Sequence, residues 1–441
     1  MLKRNVIIMG AAGRDFHNFN VYFRRNPNYN VVAFTAAQIP DIEGRVYPSQ
    51  LSGPAYPRGI PIYPESQLVS LIKKFDIKEV FLSYSDLSNE EVMRKAALVI
   101  ANGASFSLLG PNDTYFKSQK PVVAICAVRT GAGKSPTSRF VVNFFRSRNY
   151  KIAVVRHPMP YGDLSRQIVQ RFATFDDLEK QKCTIEEREE YEPHIRNGAV
   201  VYAGVDYEKI LKRAEKEADI ILWDGGNNDF SFYKPDLRIT IADPHRPGHE
   251  LLYYPGASNF IMADVIIISK VNTASRKNIH IIEEHAKSYN PKAKVIKAGL
   301  EIVMKDMRDI RRKKVLIIED GPTLTHGGMR YGAGMIAAKK YGATPIDPKK
   351  HAVGSIKELY KKYKHLNKIL PAMGYSPRQV KELQVTINRA RCDFVIDATP
   401  ADLSKLLKIN KPIIEIGYEF AEVNNGLTNV LKAFENKFLK R

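Results

Sequence analysis

Ten residues, Cys126-Ala127-Val128-Arg129-Thr130-Gly131-Ala132-Gly133-Lys134-Ser135, constrain this chain more than any other stretch. The apolar run 121–125 before them predicts a buried parallel strand, and residues 138–145 after them predict a helix. A strand, a small-residue loop ending Gly-Lys-Ser and a helix together make a phosphate cradle. Loop N–H groups and the helix N-terminus bind phosphate oxygens, Lys134 reaches the β- and γ-phosphates, and Ser135 holds Mg²⁺. The strict G-x-x-x-x-G-K-[ST] spacing needs glycine at 128, where this chain carries Val128, so the loop is a variant P-loop.

Strand-turn-helix grammar recurs on both sides of the cradle and divides the chain into three expected units, 1–119, 120–310 and 311–441. The first has strands at 5–9, 31–35, 79–84 and 105–109. Its helix 88–102 carries a capping-box pattern, Ser88 with Glu91, and 39–64 reads as a long loop. Its turn Gly10-Ala11-Ala12-Gly13 is G-x-x-G, not G-x-G-x-x-G, so a vestigial or substrate-side Rossmann unit competes with a dinucleotide site. The heavily charged run 174–191 reads as a solvated helical face.

Polar residues at the carboxyl ends of parallel strands point into the ligand crevice. The strand 218–223 ends in Asp224, the carboxylate expected to order Mg²⁺ opposite a P-loop. The strand 151–155 ends in Arg156-His157 and leads to Asp163, a metal-ligand or helix-cap candidate. The strand 236–242 is followed by His245, Arg246 and His249, and the glycine-rich loop after 315–319 holds His326 and Arg330. Each of these is a candidate anion contact, and each has an ordinary capping or surface reading. Together, three Arg/His-bearing strand ends favour an anionic second substrate, a small phosphorylated metabolite. Ser269-Lys270-Val271-Asn272 stands where nucleotide-binding proteins read guanine with N-K-x-D. Lys270 and Asn272 are therefore nucleotide-binding candidates, but the missing acid removes guanine selectivity and leaves ATP or GTP as co-substrate.

The net charge of +21, from 68 basic and 47 acidic residues, fits either attraction to anions or a lysine-rich, thermophile-like surface. The basic residues are dispersed and form no RNA-binding motif, which argues against nucleic acid. No apolar run is long enough to span a membrane, and three scattered cysteines suit reduced thiols in the cytoplasm. A homo-oligomer is an open expectation.

The loop Thr130–Ser135 resembles the T-G-x-G-K-[ST] of dethiobiotin synthetase and its relatives. In that group the first glycine falls one residue early, at Ala127 here, and Arg129 stands where deviant Walker ATPases carry a signature lysine. Nearly the whole chain resembles the cyclic 2,3-diphosphoglycerate synthetase-like family, in its archaeal "predicted GTPase" branch. The resemblance is carried by Met9–His17, Arg156–Asp163, Trp223–Asp229, Asp243–Gly248 and Glu319–Thr323. It implies an α/β fold: a central P-loop NTPase domain with a parallel sheet, dethiobiotin synthetase-like, flanked by N- and C-terminal Rossmann-like units.

It also implies an Mg²⁺-dependent, NTP-driven ligase or kinase forming a phosphoanhydride on a small anionic metabolite. Lys134, Arg129 and Asp224 would be the catalytic groups, and Ser135, Asp163 and Asp224 the metal ligands. A regulatory GTPase or ATPase switch with a protein or RNA partner is the alternative, and a metabolite-binding protein using the first unit is a third reading.

Overall fold

Apolar runs between polar strand ends build two large sheets, beside a two-stranded pairing of Leu87–Ser88 with Tyr253–Tyr254, in this computed structural model, which describes residues 3–11, 13–37, 44–157, 164–226, 229–304, 306, 308–325, 330–372, 376–401 and 403–440. The first sheet has six strands. Arg4–Met9 lies between Tyr29–Ala36 and Glu79–Leu82, all parallel, with Ser105–Leu108 beyond Glu79–Leu82. Helix Asn89–Ala101 starts as the sequence predicts: Ser88 Oγ accepts from Glu91 N (3.1 Å) and Glu91 Oε2 accepts from Ser88 N (3.0 Å). The expected loop at 39–64 is more structured than its composition implies. It contains the helix Ser49–Ser52 and the strands Val46–Tyr47 and Ile60–Pro64 on the sheet margin, where prolines lose few ladder bonds.

The second sheet has thirteen strands and carries the P-loop. Val122–Ala127 is central and fully buried, between Ile220–Gly225 and Leu237–Ala242, with Ile152–Arg156 next outward. All four run parallel, so their carboxyl ends open on one side. This is the α/β P-loop architecture with flanking α/β units that the sequence implies.

The sheet does not stop near residue 310. Lys294–Met304 pairs antiparallel with Ile413–Glu422, and Phe394–Ala398 and Lys314–Asp320 continue it. Helix Gly426–Phe438 then returns to the P-loop core, where Leu427, Leu431 and Phe434 pack with Val141 and Phe145. The division at 119 and 310 is therefore a proposal about units, and the second boundary lies within one continuous sheet.

The charged run 174–191 is a solvated face only in its first half, where Asp176, Glu179 and Lys180 are exposed. It forms helices Phe175–Lys180 and Ile185–Arg196, and Glu186, Glu187, Arg188, Glu189 and Glu192 of the second are buried. Ile185 packs into the C-terminal core while Tyr191 and Ile195 pack into the P-loop core, so the helix is wedged between them. A charge run alone does not reveal that both of its flanks meet protein.

Candidate active site

The P-loop owes its shape to two glycines in the left-handed region, Gly131 (φ 78°) and Gly133 (φ 111°), where a side chain would be strained. Val128 needs no such freedom. It continues the strand, donating from its N–H to the Ile241 carbonyl (3.0 Å), and packs against Ala242, Phe260 and Ile268. The close approach falls on Gly256 instead: a Cβ there would collide with the Val128 carbonyl. Valine therefore stands where the common pattern has glycine because this position directly follows the strand Val122–Ala127 and is buried in the core.

Behind the loop lies a buried charge cluster. Lys134 Nζ donates to Asp224 Oδ1 (2.8 Å) and to the Asp224 carbonyl (2.5 Å). Arg156 Nη1 and His194 Nε2 donate to Asp224 Oδ2 (2.6 and 3.0 Å), and Ser138 Oγ donates to Oδ1 (2.7 Å). Burial pushes the Asp224 carboxyl up, but Arg156, Lys134 and His194 together outweigh it and hold the group well below the usual carboxylate range. Burial and the nearby Arg156 lower Lys134, and burial also lowers His194, which stays neutral. Arg156 continues the chain of charges to Glu190 (Nη2 to Oε1, 2.5 Å).

A second set of contacts braces the loop from the side. Arg129 Nε pairs with Asp86 (2.5 Å), its Nη1 donates to His249 Nδ1 (3.0 Å), and its guanidinium lies 3.6 Å from the Tyr253 ring centroid. Thr130 Oγ1 donates to the same Asp86 (2.8 Å), so the first unit grips the P-loop at two consecutive residues. Buried Asp243 takes Lys270 (2.8 Å) and Arg246 (3.0 Å). Those cations donate in turn to the carbonyls of Gly131 and Thr130 (both 2.7 Å).

In front of the loop is a crevice of about 560 Å³. One wall carries Arg129, Thr130, Gly131, Gly133, Lys134 and Ser135. The other comes from helix Ile185–Arg196 and from the strands Lys314–Asp320 and Ile413–Glu422. Arg139, on the helix after the P-loop, ties the walls together by donating to the Tyr418 carbonyl (2.6 Å).

The remaining sequence candidates are placed as follows. Ala132 is buried in the loop, its carbonyl accepting from Ser269 Oγ (2.6 Å). The Asn272 amide is engaged with the backbone of Leu300 through Nδ2 (3.0 Å) and Oδ1 (3.2 Å). Arg156 reaches the crevice but is committed to Asp224 and Glu190, while His157 is buried with Asp229 3.6 Å away. His245 is at the surface on Thr273 (2.8 Å), and Arg330 is exposed. Asp163 and His326 lie outside the described residues.

Sequence reasoning did not single out Asp86, Ser138, Glu189, Glu190, His194 or Asp243. Ser138 and Asp243 had usable signals, an i+4 position from Lys134 and a strand-end carboxylate; the others come together only through tertiary packing.

For Mg²⁺, Ser135 is exposed at the head of helix Lys134–Arg146 and lines the crevice, whereas both Asp224 oxygens are taken by protein donors. No group of three or more His, Cys, Asp or Glu among the described residues is arranged to hold a metal. This donor set suits an ion that arrives with nucleotide phosphates and keeps several waters.

No family model matches the chain. It is 61% identical over 422 residues, 96% of this chain and 94% of the relative, to the arginine synthetase ArcE of Thermococcus kodakarensis. It is 23% identical over 296 residues, 60% of this chain and 66% of the relative, to a cyclic 2,3-diphosphoglycerate synthetase of Thermococcus sibiricus. Among solved structures, LpxK from Aquifex aeolicus in complex with ATP aligns with a TM-score of 0.44 at 12% identity, covering 84% of this chain and 99% of that one. No helix among the described residues is long and apolar enough to cross a membrane. With that identity held over almost its whole length, the chain belongs to the P-loop NTPase family of the arginine synthetase ArcE.

Proposed function

We propose that this protein is an ATP-driven ligase that forms the guanidinium group of arginine. The observation that carries the reading is the two-walled crevice: a phosphate cradle on one side faces a chamber closed by the C-terminal strands, with room for a second substrate beside the γ-phosphate. The relative's name supplies the product class.

The chemistry follows from what a guanidinium requires. A ureido carbonyl is a poor electrophile, and its oxygen is a poor leaving group. That oxygen attacks the γ-phosphorus, the bond to the β–γ bridging oxygen breaks, and ADP leaves. An amine nitrogen then adds to the ureido carbon, the carbon–oxygen bond breaks, phosphate leaves, and the nitrogen gives up a proton.

Phosphoryl transfer needs mainly positioning and charge stabilisation. Lys134 supplies the cation at the transferring group, and Asp224, held by Ser138, Arg156 and His194, aims it. Arg129, fixed by Asp86 and His249, holds the loop and faces the phosphates. Mg²⁺, bound with the nucleotide at Ser135, would add further charge neutralisation.

A diphosphorylated substrate fits the chamber less well. Its second wall presents carboxylates from Glu186, Glu189, Glu319, Asp320, Glu415 and Glu419. Lys134, Arg156, Arg129 and Lys270 already have carboxylate partners.

The test is ADP release from MgATP with a δ-ureido amino acid and ammonium, against 2,3-diphosphoglycerate in parallel. ADP and arginine should appear together in the first reaction. Turnover with the diphosphoglycerate alone would reverse the assignment.

A further inference from the structure

Helix Ile185–Arg196 places Glu186 and Glu189 one turn apart, so they share a face, and that face lines the crevice opposite the P-loop. Asp320, at the end of Lys314–Asp320, stands across from them. Glu189 is 94% buried, since only 6% of it is exposed, and its Oε1 has no hydrogen-bond partner. A buried carboxylate left without a donor is costly unless something supplies one. Its neighbour Glu190 is matched by Arg156, and Glu319 by the N–H of Met335 (3.0 Å) at the head of helix Ala333–Lys340. The wall therefore contains carboxylates already served by the protein and one, Glu189, that is not. Glu189 lines the same crevice as Lys134, and its charged neighbours are Asp320, Glu186 and Asp397, so it belongs to the C-terminal side of that crevice.

We propose that Glu189, with Glu186 and Asp320, is a dock for a planar guanidinium, binding the nitrogen end of an arginine-class substrate or product in the crevice wall opposite the P-loop. This inference rests on the arginine-forming reading for its ligand class. A guanidinium offers five N–H donors in a flat fork and matches carboxylates in pairs, so it can serve Glu189 and a second acid at once. An ammonium offers only a point charge. The unliganded site supports this. Burial first, then Asp320, Glu186 and Asp397, push the Glu189 carboxyl well above its ordinary range, which favours its protonated form when no cation is bound. Glutamine matches that protonated form in shape and charge, so Glu189→Gln should fold.

The test is calorimetric titration of the full chain with two probes, in the presence of MgADP. Agmatine carries the guanidinium without an amino-acid head, and norvaline carries the head without the guanidinium. Glu189→Gln should weaken agmatine binding at least about tenfold. It should leave norvaline and MgADP affinities within about twofold of wild type. Asp320→Asn gives a second reading with the same expectation, and an unchanged thermal midpoint shows that each variant is folded. Unchanged agmatine affinity in both variants overturns the dock, and so does loss of norvaline binding instead, which would place an α-ammonium there. The proposed function fails separately, if wild-type protein releases no arginine in the turnover assay while the agmatine titrations still report on the dock.

Discussion

Asp224 is the residue on which the site turns, because two cations, a histidine and a hydroxyl converge on a carboxylate that is 1% exposed. Asp224→Asn would leave Lys134 and Arg156 buried with Glu190 as the carboxylate partner remaining to the pair. The expected loss is ~3–5 kcal/mol of stability, read as a lower thermal midpoint, together with weaker nucleotide binding. Lys134→Ala removes the cation at the transferring phosphoryl group and should lower turnover by about 10³-fold. Its fold should persist, because Arg156 still neutralises Asp224 and His194 and Ser138 still donate to it.

Glu319 and Asp397 give a pH signature. Burial pushes both carboxyls up to about 7 in the folded chain, from ordinary values of 4.5 and 3.8. The folded state thus binds their protons more tightly, so the stability they contribute is fully present below the ordinary values and is lost as pH rises to about 7. The thermal midpoint should fall between pH 5 and pH 8 (values set about that window), and Glu319→Gln should flatten the decline.

At the scale of elements, the P-loop strand and the loops around it were legible, and the wall opposite was not. Val122–Ala127 is wholly apolar, Ile220–Gly225 is apolar up to Asp224-Gly225, and Leu237–Ala242 is mostly apolar and followed by Asp243, a local pattern that survives folding. The sequence reading offers His245, Arg246 and His249 of the loop 243–249 as anion contacts. In the fold Arg246 and His249 brace the P-loop, because Asp243 and Arg129 lie beside them. Helix Ile185–Arg196 was misread as solvated for the complementary reason: its buried partners come from residues 156, 224 and 320, which no window of sequence contains. Two substitutions test these roles. Val128→Gly deletes a buried side chain and loosens a strand end. It should cost about 3 kcal/mol in urea unfolding while nucleotide affinity stays within about threefold. Asp86→Ala frees Arg129 and Thr130 together, and should weaken MgATP binding about tenfold with little change in stability, measured by titration calorimetry.

At the scale of the whole molecule, the crevice exists because one sheet runs from the P-loop strands into the C-terminal strands. The antiparallel pair Lys294–Met304 and Ile413–Glu422 sets the two walls at a fixed spacing, and helix Gly426–Phe438 locks the return against the P-loop core. The N-terminal unit holds the loop itself through Asp86. The chain is thus built as a P-loop crevice closed from two directions, the N-terminal unit gripping the loop and the C-terminal strands bringing carboxyl groups to the opposite wall.

The most direct measurement is a quantitative end-point assay of the purified chain with MgATP, a δ-ureido amino acid and ¹⁵N-ammonium, counting ADP and ¹⁵N-arginine. The account predicts equal amounts of the two, with both about 10³-fold lower for Lys134→Ala over the same time. ADP released without labelled arginine would contradict it.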